Sequence, residues 1–141
     1  MNEEQIFRIN EARALSETLE GETIIINLET GSYYSMNESG TVVWDALKNT
    51  LRIRDVVDVC LSHYNCTREL IVESLGAFLV SLEKEGLITS SESAGSPEQS
   101  FQGAKKDFVA PRLEVYKDLQ QMLLADPIHD VGAEGWPVLK A

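Results

Sequence analysis

The residues of this 141-residue chain best suited to chemistry are few: the histidines His63 and His129, the cysteines Cys60 and Cys66, and the carboxylates Asp126 and Asp130 beside His129. Metal ligation needs three or four donors at converging spacings, and nucleophilic catalysis needs a base within reach of the nucleophile. The histidines lie far apart in sequence, the cysteines form no C-x-x-C, and Asp126, His129 and Asp130 match no established ligand spacing. Cys60 falls on an apolar helical face and reads as a small buried hydrophobe. Cys66, near a helix start, has no visible base partner and reads as structural or exposed. No glycine-rich phosphate loop follows a strand, and there is no G-x-S-x-G elbow. The expectation is a protein that is not an enzyme, with no metal and no cofactor.

The elements that would position any site change rhythm at Asn37. Before it, "ARALSETL" ends at Glu20-Gly21, "ETIIINLE" is β-branched and turn-bounded, and "SYYSM" follows Gly31, which predicts a meander of three short antiparallel strands. After it, Asn37 is placed to cap a helix over about 38–48, its first turn weakened by Gly40. A second helix fits "IRDVVDVCLSHY", with Ile53, Val56, Val57, Cys60, Leu61 and Tyr64 on one face. A third fits "RELIVESLGAFLVSLEKEG", with Ile71, Leu75, Phe78, Leu79 and Leu82 inward and Gly86 as its stop. The fold class is α+β, a three-stranded antiparallel sheet followed by three helices.

Composition divides the chain into a domain over 1–89, a flexible linker over 90–107 rich in Ser, Gly and Gln, and a second patterned piece over 108–141. In that last piece Pro111 favours an extended stretch over 108–113. Val115, Leu119, Met122 and Leu123 then recur at helical spacing, which predicts a short helix over about 114–124, ended by Asp126-Pro127.

Twelve Lys and Arg against 23 Asp and Glu leave a formal charge of −11 and a pI near 4.5. Nucleic-acid binding rests on cations displacing counterions from phosphates, so an acidic chain argues against it. The third helix sharpens the point: it offers Arg68 and Lys84 against Glu69, Glu73, Glu83 and Glu85, the reverse of a recognition helix. No run approaches the roughly 20 apolar residues of a membrane span. With a start that lacks a signal pattern and no paired cysteines, the expected location is cytoplasmic.

A short strand ending a meander has one open edge, whose unpaired amides and carbonyls can accept a strand from a peptide. Tyr33, Tyr34 and Met36 lie on that strand, where the rings either flank a peptide or simply cover the core. Here the chain resembles the PqqD-like proteins, RiPP recognition elements that bind the leader of a ribosomal precursor peptide. The resemblance lies in "IIINLETGSYYSMNESGTVVWDAL", then "VVDVCLSHY", then "FLVSLEKEGLI", over roughly residues 8–89. "NTLRIRD" departs from the Gly and Ser/Thr usual at the second helix entry. The resemblance implies a winged-helix-like fold in which the leader adds a strand beside the third strand and packs against the third helix. Tyr33, Tyr34, Ser35 and Met36 match the receiving strand, and Leu75, Phe78, Leu79 and Leu82 match the helix that builds groove and core.

The tail "FVAPRLEVYKDL" is similar to a lasso-peptide leader motif, with Phe108, Pro111 and Leu113 as its ligand residues. Such a ligand could come from the chain's own tail or in trans from a separate precursor. A linker of about 17 residues reaches roughly 23 Å at about 5–6 Å × √n, against a radius of gyration of about 12 Å for a 90-residue domain. Exchange of tail or strand between two copies would give a homodimer. The rest, with Asp126, His129, Asp130 and Trp136, stands as a substrate-like core or a docking segment for a peptide-modifying enzyme, or as plain disordered tail. The alternative function is a winged-helix oligomerisation or scaffold protein.

Overall fold

The computed structural model describes residues 2–95 and 103–117. In chain order the elements are β1 (Ile6–Ile9), β2 (Ala14–Leu19), β3 (Glu22–Asn27), β4 (Tyr33–Met36), α1 (Glu38–Lys48), α2 (Ile53–His63), β5 (Tyr64–Asn65), α3 (Arg68–Lys84), β6 (Ile88–Ser91), β7 (Lys106–Asp107) and β8 (Leu113–Tyr116).

The meander forms as its turns require. Glu20 and Gly21 both have positive φ, 53° and 82°, the two-residue geometry that matches strand twist and that glycine adopts without strain. β2 then pairs with β3 from Ala14↔Asn27 to Leu19↔Glu22, and β3 with β4 from Thr23↔Met36 to Ile26↔Tyr33. Alternation sends Ile25, Tyr34 and Met36 inward. α1 starts at the expected cap, with the Asn37 side chain accepting from the Gly40 amide. A Cβ at Gly40 would stand 3.0 Å from Met36 Cβ and 3.2 Å from the Phe78 ring, so helical propensity yields there to close packing. α3 buries Ile71, Leu75, Phe78, Leu79 and Leu82, the face its periodicity predicts. Trp44 is 0% exposed at the centre, its indole N–H donating to Ser16 Oγ at 3.2 Å.

Three expectations are corrected. The sheet is four-stranded, in the order β2-β3-β4-β8, because the open edge of β4 is filled by residues 113–116 of the same chain. Residues 114–116 are therefore strand, not the start of a helix: backbone partners on β4 outweigh a helical spacing that alone carries little weight in a short segment. The linker is shorter than 90–107 at both ends, since Ser90 and Ser91 belong to β6 and Lys106 and Asp107 to β7. Strands β1 and β6 pair antiparallel, Ile6↔Ser91 to Ile9↔Ile88, across almost the whole domain; a four-residue strand and a polar "ITSS" give no local signal of that pairing. The part of the helix reading beyond Lys117, and the residues Leu119, Met122, Leu123, Asp126, His129, Asp130 and Trp136, lie outside the described residues.

Candidate functional site

The site is the open edge of β4 together with the groove that α1, α2 and α3 form beside it. Both are occupied by the chain's own tail. β8 runs antiparallel to β4 in the register Tyr33↔Tyr116, Tyr34↔Val115, Ser35↔Glu114 and Met36↔Leu113. Of the receiving strand, Tyr34 and Met36 point into the core, while Tyr33 and Ser35 stand on the opposite, partly exposed face. Tyr34 is a core residue whose hydroxyl donates to Glu85 Oε1 at 3.1 Å, and desolvation raises its pKa. Ser35 Oγ lies 3.4 Å from Glu114 Oε1, a cross-strand contact between β4 and β8.

Ahead of β8 the tail descends into the groove. Phe108 and Pro111 line a small pocket together with Ser39, Val43, Cys60, Ile71 and Leu75, and Phe108 packs on the core. Phe108 also meets Tyr64 edge to face, with ring centroids 5.6 Å apart. Leu113 packs on the core beside Met36. Side chains of this size, buried in part, contribute about 1 kcal/mol each toward holding the tail, half or less of the value for full burial.

Polar contacts from the first turn of α1 fasten the backbone between these anchors. Ser39 Oγ donates to the Val109 carbonyl at 2.5 Å, and Asn37 Nδ2 donates to the Ala110 carbonyl at 2.9 Å. The Arg112 amide donates to Asn37 Oδ1 at 2.9 Å, and Lys106 pairs with Glu38 at 2.5 Å. Upstream, β7 pairs in parallel with β5, Tyr64↔Lys106 and Asn65↔Asp107. The tail is thus gripped on both sides of the α1 N-terminus.

A second cavity of about 210 Å³ lies under the Glu38–Lys106 pair, lined by Gly21, Thr41, Val42, His63, Tyr64 and Ala104. Burial holds the His63 imidazole below its ordinary pKa. Among the described residues no three His, Cys, Asp or Glu side chains are grouped to hold a metal ion, and no helix is long and apolar enough to cross a membrane.

Phe108, Pro111 and Leu113 and the receiving residues Tyr33 to Met36 are thus brought together. Of the α3 residues, Leu75 lines the groove, whereas Phe78, Leu79 and Leu82 serve the core. Sequence reasoning missed the contacts made by Asn37, Glu38, Ser39, Tyr64 and Ile71 and the position of Cys60 in the groove wall. Asn37 was legible as a helix cap, and nothing in its spacing announces a second role.

Cys60 is buried and lines the same small pocket as Phe108 and Pro111, and desolvation pushes its thiol up to about 12. Cys66 is only partly buried and its pKa is also raised. The thiolate is the reactive form. At pH 8 an alkylating reagent is therefore expected to label Cys66 slowly and to spare Cys60 until the chain is unfolded, with peptide mapping as the readout. Labelling of Cys60 at a rate matching Cys66 would mean the groove wall opens.

Residues 22–88 match the family model for Coenzyme PQQ synthesis protein D (PqqD). The matched stretch runs from β3 to the first residue of β6, so it contains the receiving edge and all three helices, and the tail lies outside it. No curated protein matches the chain. A solved structure described as TbiB1 in complex with the TbiA(beta) leader peptide aligns with a TM-score of 0.57 at 24% identity, over 61% of this chain and 99% of that one. That likeness is one of fold.

Proposed function

From the match of residues 22–88 to the PqqD family model we propose that the chain is a non-catalytic leader-peptide-binding module of ribosomal peptide natural-product biosynthesis, its own segment 106–116 seated in the leader site. The observation that carries this reading is β8 on the β4 edge with Phe108 and Pro111 in the adjoining groove. Strand addition supplies affinity through backbone hydrogen bonds, and pockets for selected side chains supply choice, which is the division of labour between the β4 edge and the groove. The aligned structure supports it, since its description names a leader peptide in complex.

Tethering makes the binding intramolecular. A linker of this length sets an effective concentration of the order of millimolar, so even a weak leader segment stays seated. In this reading the tail is a leader fused to its carrier, and the sequence after Lys117, with Asp126, His129, Asp130 and Trp136, is the part offered to a peptide-modifying enzyme. Holding a substrate near an enzyme lowers the entropic part of the barrier without any chemistry in the holder.

The test uses the full chain carrying Phe108→Ser, Pro111→Ser and Leu113→Ser, which vacates the site. A fluorescently labelled peptide of residues 105–117 is expected to bind this variant with micromolar affinity by anisotropy, and to bind the unaltered chain at least tenfold more weakly because the site is filled. Absence of binding to the variant would remove the leader-binding reading.

A further inference from the structure

We propose that Asn37 is the specificity-determining residue of the peptide site: its carboxamide reads the backbone on both sides of Pro111 and sets the register of the bound strand. The inference rests on the peptide-binding reading above and adds a named reader to it.

The β4 ladder ends at Met36↔Leu113, where the chain turns into α1. In antiparallel register the next pair would be Asn37 with Arg112, but the Asn37 carbonyl is already taken by the Thr41 amide inside the helix. The side chain replaces the missing backbone step. Its Nδ2 donates to the Ala110 carbonyl at 2.9 Å and its Oδ1 accepts from the Arg112 amide at 2.9 Å. Those two groups flank Pro111, which has no N–H of its own to satisfy. A carboxamide carries one donor end and one acceptor end, as a peptide unit does, and so can extend a ladder by one rung.

The same Oδ1 also accepts from the Gly40 amide at 3.1 Å, using its second lone pair to cap α1. One side chain therefore joins the helix start to the peptide. Ser39 Oγ, donating to the Val109 carbonyl at 2.5 Å, fixes the residue before this frame. A peptide shifted by one residue, so that Pro111 stood where Arg112 does, would offer no N–H to Oδ1 and leave that acceptor without its peptide partner. Selection of this kind is negative as well as positive.

Aspartate separates the two roles. Asp caps helices about as well as Asn, but it has no donor for the Ala110 carbonyl and sets a carboxylate oxygen against it. In the full chain with Asn37→Asp, hydrogen exchange of the Glu114 and Tyr116 amides, which face β4, is expected to rise roughly threefold to tenfold, while α1 amides from Val43 to Leu47 keep their protection. Asn37→Ser, another good cap with a shorter reach, should show the same pattern. Unchanged β8 exchange in both variants would overturn the role of Asn37 while leaving the docked tail intact. Unprotected Glu114 and Tyr116 amides in the unaltered chain would instead overturn the docking on which the inference rests. Loss of α1 protection in step with β8 would reduce Asn37 to a cap and equally overturn its reading of the peptide.

Discussion

Serine at Phe108, Pro111 and Leu113 together is expected to release the tail and expose the β4 edge, raising hydrogen exchange of the Tyr33 and Ser35 amides, which face β8, by about a hundredfold. The estimate follows from burial. Phe108 and Leu113 pack on the core and Pro111 lines the groove, and three partly buried side chains at about 1 kcal/mol each sum to about 3 kcal/mol, close to two powers of ten. The polar contacts from Asn37, Ser39 and Glu38 are mostly exposed and contribute less, since water competes for them. The measurement needs an internal control, which β2 and β3 supply: their pairing involves no tail residue, so their exchange should stay within about twofold. Equal protection of β4 before and after the substitutions would mean that the edge is not held by the tail in solution.

Trp44→Ala is expected to be the most damaging single substitution. The indole is 0% exposed at the junction of the sheet and the helices, and its N–H is satisfied by Ser16. Truncation leaves a large cavity and an unpaired hydroxyl, a combination that costs about 3–5 kcal/mol. A domain of this size has about 5–15 kcal/mol in total, so the midpoint of thermal unfolding should fall by about 15–25 °C. Circular dichroism at 222 nm measures it directly. A fall under about 5 °C would show that the core closes around the loss. Because Trp44 lies on α1, whose first turn holds the tail, the same variant should loosen β8 as well.

The three helices and the meander were legible in the sequence because each is decided locally. Asn37 and the period change behind it place the start of α1, Glu20-Gly21 places the first turn, and the 3.6-residue spacing of Ile71, Leu75, Phe78, Leu79 and Leu82 marks the inward face of α3. The open edge of the meander and the leader-like look of Phe108, Pro111 and Leu113 made the tail one candidate occupant beside a separate precursor; in the structure Leu113 pairs with Met36, while Phe108 and Pro111 line the helical groove instead of the strand.

Other features had no local trace. β1 with β6 joins the two ends of the domain, and β5 with β7 joins two-residue strands about 40 residues apart. Propensity cannot announce either, because each strand exists only through its partner. The same reason turned Glu114–Tyr116 from an expected helix into a strand: Val115 keeps helical spacing with Leu119 and Met122, but the neighbouring edge of β4 offers backbone partners that spacing alone cannot weigh. Asn37 marks the boundary between the two kinds of knowledge. Its residue type and position determined a helix cap. Only the fold, by laying residues 110–112 across that cap, made the same carboxamide a contact for the tail, because a hydrogen bond between residues over 70 positions apart depends on where the chain returns.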